Sequence, residues 1–207
     1  IWPIEGWRVA LLLTALPAIY AVYIRIKLPD SPQFAVKEVS KKRSVFQNIA
    51  DVWSKEYAKS TFMMWVLWFA VVFSYYGMFL WLPSVMVGKG FDLISSFKYV
   101  LIMTLAQLPG YFTAAWFIEK FGRKFVLVTY LIGTAASALV FGNAETVGVL
   151  LASGMLLSFF NLGAWGALYA YTPEQYPAVI RGTGAGMAAA VGRIGGIFGP
   201  LLVGSLL

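Results

Sequence analysis

Cysteine and histidine are both absent from the 207 residues. Disulfides, thiolate nucleophiles, Cys/His metal sites, Ser-His-Asp triads and histidine proton relays are therefore excluded. Charge is scarce as well, with Asp, Glu, Lys and Arg making up 12% of the chain. No G-x-x-x-x-G-K-[ST] run occurs, so ATP is not expected to drive this segment. Most enzyme readings fall with these absences, and neither a cofactor nor a metal is expected.

What the chain has in quantity is apolar surface. Hydrophobic residues make up 60% and the mean hydropathy is +0.75, more than a soluble domain of this size uses for its core. The expected class is an all-α, polytopic membrane protein. A net charge of +7 would suit nucleic acid, yet Lys and Arg gather in a few loops between apolar runs rather than along one polar face. A topology signal accounts for them better, and no nucleic-acid partner is expected.

Six spans are expected: Trp7 to Ile26, Phe62 to Val87, Ser95 to Ile118, Phe125 to Gly142, Val147 to Tyr171, and Gly182 to about Leu206. Pro17 should kink the first. Between the first two lies a polar loop in which Phe46, Ile49, Trp53 and Tyr57 recur at helical spacing opposite Lys55 and Lys59. That spacing suits an amphipathic helix on the membrane surface or one packed on a partner domain. With this loop in the cytoplasm, 12 of 16 Lys/Arg lie inside; only Arg8, Lys89 and Lys98 lie outside, and Arg193 lies in the membrane. The chain starts at Ile1 without Met and ends in an apolar run, so part of a longer protein is expected.

The stretch Thr172 to Pro200 organises the rest. It opens as a polar turn with Pro173, Pro177 and Arg181, then becomes a Gly- and Ala-rich apolar helix whose one charge is Arg193. Counting from Arg181, Arg193 lies about 18 Å along that helix, near the middle of a hydrocarbon layer of roughly 30 Å. A guanidinium at that depth costs from about 3 to well over 10 kcal/mol, so it should face protein or a watery cavity and have a partner. Gly184 to Ala189 formally matches the dinucleotide pattern G-x-G-x-x-A, but it opens no βαβ unit. The better use of Ala185, Ala188, Ala189, Gly192, Gly195, Gly196 and Gly199 is close helix packing.

Three motifs carry a family resemblance: Glu119-Lys-Phe-Gly-Arg-Lys124, the LPDSPQF of Leu28 to Phe34, and the PEQYPAVIRGTGAG of Pro173 to Gly186. Together they resemble the major facilitator superfamily (MFS). Within it the likeness is to sugar porters, organic-ion transporters and metabolite–proton symporters, including niacin and aromatic-acid permeases. It implies that the chain holds six of twelve helices, mainly the C-terminal bundle: residues 1–27 as helix 6, 28–60 as the central cytoplasmic loop with its amphipathic segment, and 61–207 as helices 7–11. Helices 1–5 and helix 12 of the same protein are then expected partners, with the lipid bilayer, a small-molecule substrate and a proton as coupling ion. Two departures stand out. Ala115 occupies the place of an expected glycine, and Gln33 that of a basic residue.

Tyr75, Tyr76, Gln107, Asn161 and Trp165, with Arg193, are the candidate substrate-binding residues; each polar group has interhelical hydrogen bonding as its plainer use. Glu119, Arg123, Glu174 and Arg181 are candidate gating residues. The short turn from Glu119 to Lys124 serves either as a solvated loop or as a charge latch between helix ends. No acid lies at mid-depth in any span, so a proton-carrying carboxylate would have to lie elsewhere in the protein. The leading expectation is a secondary carrier in a multi-pass cell membrane setting, moving an organic anion such as niacin or an aromatic carboxylate by alternating access. A sugar or polyol porter is the alternative carrier, and a membrane scaffold or receptor the alternative of another class. Arg193 favours the anion, since polyols are held by amides and indoles.

Overall fold

A computed structural model describes residues 6–28 and 44–206, with no β-strand among them. They form two units divided between Ser44 and Val45. The run from Pro29 to Phe34, including Gln33, lies outside the described residues.

The first unit contains α1 (Gly6–Leu13) and α2 (Leu16–Lys27). The expected first span is thus divided, and Pro17 is the reason. Pro17 sits in the first turn of α2, where its missing N–H is harmless; one turn back it leaves the Leu13 carbonyl without a donor. Thr14 and Ala15 fill the break by donating to Leu11 O and Leu12 O, at 2.6 and 3.1 Å. Arg25 and Lys27 close the last turn of α2, where cations suit the helix dipole.

The second unit begins with α3 (Val45–Val52), then α4 (Ala58–Phe79), α5 (Leu82–Gly88), α6 (Leu93–Leu105), α7 (Gln107–Phe121), α8 (Arg123–Gly142), α9 (Val147–Tyr171), a 3-10 turn (Thr172–Gln175) and α10 (Arg181–Leu206). Five stretches are long and apolar enough to cross a membrane: Ala58–Phe79, Leu93–Phe121, Arg123–Gly142, Val147–Gln175 and Arg181–Leu206. Proline corrects two of the expected spans. Phe62 to Val87 is interrupted after Phe79 because Pro83 starts a new short helix, and Ser95 to Ile118 breaks at Ala106 because Pro109 offers no N–H to the Leu105 carbonyl. On the side opposite the Arg123 turn, Asp92 caps α6 by accepting from Ser95 N at 3.0 Å, which holds its carboxyl below the usual carboxylate range. Thr146 caps α9 in the same way, accepting from Val149 N at 3.3 Å.

The core lies where α4, α8, α9 and α10 meet, around Met64, Trp68, Val72, Leu127, Tyr130 and Leu168. Two seams of glycine bring the backbones together. Along α10, Gly195 and Gly199 lie against the carbonyls of Phe69 and Phe73 on α4; between α7 and α9, Gly110 lies against the carbonyl of Phe159. Small residues take this role because helices in lipid associate through close van der Waals contact, not through exclusion of water.

The loop segment folds differently from the expected Phe46-to-Tyr57 helix. The helix ends at Val52, and Trp53 to Tyr57 form turns. Phe46 is 83% exposed, whereas Val52 is fully buried against Tyr176 and Ile180. Trp53 instead stacks edge-on against Trp65, with centroids 4.9 Å apart.

Candidate functional site: an arginine beside an aromatic cluster

The antiparallel run of α4 against α9 sets the site. Trp68 Nε1 donates to Thr172 Oγ1 at 2.9 Å at one level, and Asn161 Nδ2 donates to Ser74 Oγ at 3.2 Å further along. Next to the second level, Tyr75 meets Trp165 edge-on at 5.2 Å, and Tyr76 lies 6.2 Å from the same indole. Tyr75 and Tyr76 are perpendicular at 5.4 Å, and Phe79 joins Tyr75 at 4.8 Å. Such edge-to-face pairs suit the quadrupoles of the rings, and leave faces for a flat ligand.

Arg193 reaches this cluster from α10. Gly196 leaves room for the Tyr76 ring, whose nearest carbon would lie 3.2 Å from a Cβ there. One turn earlier, the Arg193 guanidinium stands 3.5 Å from Tyr76 Oη, at the outer limit of a hydrogen bond. Among the described residues it has no acidic partner, and it is exposed on the bundle. The arrangement, among the described residues, is a cation with no acid against it beside an aromatic wall.

Gln107 and Asn161 occupy a different layer. Met103, Gln107, Gly110 and Ala114 share one face of α6 and α7, and that face meets α9: Met103 lies against Gly154, and Gly110 against Phe159 and Gly163. Gln107 is therefore level with Ser158 and Asn161. All three are more than nine-tenths buried, and Gln107 Nε2, Ser158 Oγ and Asn161 Oδ1 have no hydrogen-bond partner among the described residues. Each such orphan ordinarily costs ~1–3 kcal/mol. Thr104, by contrast, is satisfied within its own helix, donating to Val100 O at 2.7 Å.

Two residues of the region were not legible as site residues. Ser74 receives the Asn161 amide, and Tyr111, one turn after Gln107, packs its ring into the space that Gly166 leaves beside Trp165. Tyr111 lies in a dense run of apolar and aromatic residues, where nothing but its i+4 spacing from Gln107 marks it.

At the other end of α9 the four gating candidates share one surface. Gly122, at φ 81°, is the single residue between α7 and α8, a conformation that favours glycine. Beyond it Arg123 pairs with Glu174 of the 3-10 turn, both half-exposed, while Glu119 is exposed on the last turn of α7. Arg181 Nε donates to Tyr176 O at 3.3 Å. Tyr176 itself is buried, and its hydroxyl meets Thr61 Oγ1 at 3.2 Å, which in turn donates to Val52 O at 2.8 Å. Burial pushes the Tyr176 phenol up. The PEQY turn is thereby tied to α3, α4 and α8 together.

The sequence profile of the Major Facilitator Superfamily matches residues 99–207, more than half of the chain. This chain belongs to that superfamily. Among curated MFS relatives, "Putative niacin/nicotinamide transporter NiaP" of Bacillus subtilis is 66% identical over 99% of this chain and 51% of its own length. "Niacin transporter NiaP" of Acinetobacter baylyi is 46% identical over 97% of this chain and 52% of its own length. The "3-(3-hydroxy-phenyl)propionate transporter" of Escherichia coli is 28% identical over 87% and 43%. The chain spans about half the length of the curated relatives it matches. As an MFS chain with membrane-length helices and transporter relatives, it is a multi-pass plasma-membrane protein and not an enzyme.

Proposed function

We propose that the full-length protein is a secondary carrier of an organic anion, niacin or a similar aromatic carboxylate, and that Arg193 receives the carboxylate while Tyr75, Tyr76 and Trp165 flank the ring. The single observation behind this reading is the guanidinium that stands against Tyr76, whose ring joins Tyr75 and Trp165, with no acidic partner among the described residues. A polyol carrier would leave that charge without a use. The names of two MFS relatives, one a niacin transporter and the other a putative niacin/nicotinamide transporter, favour a pyridine carboxylate or its amide as the ligand, the acid being the form that Arg193 suits. Transport proceeds by rocking of two helix bundles about a midplane site, with a proton as coupling ion. The test is counterflow of labelled nicotinate into proteoliposomes holding the full-length protein, at two pH values. Saturable exchange that rises with an inward proton gradient supports the reading; no exchange with nicotinate or any aromatic carboxylate rejects it.

Glu119, Arg123, Glu174 and Arg181 act in this scheme as a cytoplasmic latch. An exposed ion pair contributes only ~0–1 kcal/mol, so Arg123→Ala or Glu174→Ala is expected to lower turnover by no more than about fivefold. Affinity for nicotinate should change little, and the exchanged pair Arg123→Glu with Glu174→Arg should recover part of the rate. Counterflow rates beside binding to the purified protein separate the two quantities. Affinity falling while turnover holds would place these residues in recognition instead.

A further inference from the structure

Two hollows that share a wall run along α8. The first, of about 200 Å³, lies near the Gly122 turn and is lined by Phe117, Phe121, Phe125, Thr129 and Phe160. The second, of about 490 Å³, continues between α8 and α9 past Ala136, Val140, Val149 and Ala152, and ends against the same Phe160. Gly133 makes room for that ring, since a Cβ there would come within 2.6 Å of it. No residue of α4 or α10 lines either hollow, so both are separate from Arg193 and its aromatic cluster. The walls present mostly carbon, because Tyr130 donates its hydroxyl to Thr113 Oγ1 at 2.8 Å and Ser153 donates its own to Val149 O at 2.6 Å. Hydrocarbon suits them better than a polar solute does. From Phe125 to Val140 the furrow follows α8 for about 22 Å, which gives the two volumes a mean cross-section of ~30 Å², well under the ~80 Å² or more of a helix 10–12 Å across. One extended chain fits where a helix does not.

A cation marks the end of the furrow near the turn. Lys120 Nζ stands 3.9 Å over the Trp116 ring, and that indole meets the lining ring of Phe117 at 5.0 Å. Trp116 is 53% exposed, which suits an indole at a membrane interface, and Lys120 has no acidic partner among the described residues. A lysine near a helix end ordinarily extends outward to water, whereas this ammonium is folded back one turn toward the apolar span. We propose that the furrow binds an anionic phospholipid, with one acyl chain lying along α8 and the phosphate on Lys120. A chain that enters beside Phe125 and crosses one leaflet, about 15 Å of hydrocarbon, passes Gly133 and Phe160 and ends near Ala136. This goes beyond the carrier reading and does not depend on the solute carried.

Phospholipid retained by the purified full-length protein, counted by mass spectrometry after exposure to an equal mixture of phosphatidylglycerol and phosphatidylcholine with the same chains, tests the site. The starting protein is expected to retain the anionic lipid in excess, and Lys120→Gln to lower that preference about fivefold, as for one cation lost near the surface. Lys124 lies round α8 from the stripe of Thr129 and Ala136, so Lys124→Gln removes the same charge and should leave the preference within about twofold. Thr129→Phe and Ala136→Phe add bulk from exposed positions and should reduce retention of both lipids alike. Should Thr129→Phe fail to fold, Ala136→Phe makes the same test. Equal preference in the Lys120 and Lys124 variants, or full retention in the filled variants, overturns the site. A starting protein that retains neither lipid overturns it too, and the furrow is then covered by another part of the same protein.

Discussion

Gly195→Leu is expected to prevent this bundle from assembling, whereas Gly186→Ala, nine residues earlier on the same helix, is expected to be neutral or slightly stabilising. The contrast comes from what each new Cβ would meet. At Gly195 it would lie 2.5 Å from the Phe69 carbonyl oxygen and 3.2 Å from Phe73 N, and at Gly186 nothing lies within 4 Å. The obstacle at Gly195 is backbone, so no rotamer change removes it; α4 and α10 have to separate. Gly199 repeats the constraint one turn on, its Cβ position being 2.5 Å from Phe73 O. Separating the seam loses contacts along much of its length, since association in lipid rests on that close approach. Even Gly195→Ala, which gains about 1 kcal/mol of helix propensity, should lose more, because overpacking costs ~1–3 kcal/mol. Gly186→Ala keeps the propensity gain alone. The thermal midpoint and monodispersity of the detergent-solubilised protein measure both. A Gly195→Leu protein as stable as Gly186→Ala would show that the seam does not hold the bundle.

The small residues of α10 were legible because an apolar helix has few other uses for so many glycines. The breaks at Ala106 and after Phe79 were less so, although Pro109 and Pro83 stand in plain view. A hydropathy reading sees an unbroken apolar run and does not register a lost carbonyl partner. Pro17 was read as a kink, and the structure makes it a full division of the span.

Partners across the chain were not legible from spacing. Glu119 and Arg123 stand four apart, which on one helix would place them together, but Gly122 turns the chain between them and Arg123 instead pairs with Glu174. Likewise the periodic set from Phe46 to Tyr57 continues past the helix end at Val52, and Val52, outside that set, is the residue that docks. Within the candidate site, Arg193, Tyr75, Tyr76 and Trp165 stood out as polar or amphipathic groups in apolar spans. That Gln107 and Asn161 belong to a separate, enclosed layer depends on which helix faces meet, and one sequence does not carry that.

Arg193→Lys is expected to weaken binding of nicotinate or another aromatic carboxylate about tenfold or more while the protein still inserts and folds, the equivalent of losing one charge-assisted bond worth roughly 1.5–3 kcal/mol. Both side chains are cations, so the comparison isolates geometry. Arginine can fork two parallel N–H bonds onto a carboxylate, a charge-assisted geometry that a single ammonium does not match. Lysine offers a point charge on a flexible stem and forfeits the fork. Tyr76 sharpens the test: its hydroxyl stands 3.5 Å from the guanidinium, so Tyr76→Phe removes an orienting contact without touching the charge and should cost less, about threefold. Arg193→Gln removes the charge as well and should cost the most. The competing use of Arg193 is structural, pairing with an acid from elsewhere in the protein. In that case Gln would lower the thermal midpoint, and anion affinity per folded molecule would be the same in Lys, Gln and the starting protein. Equal affinities of that kind would remove Arg193 from the site. A graded loss, smallest for Tyr76→Phe and largest for Arg193→Gln at an unchanged midpoint, would place the carboxylate on this guanidinium.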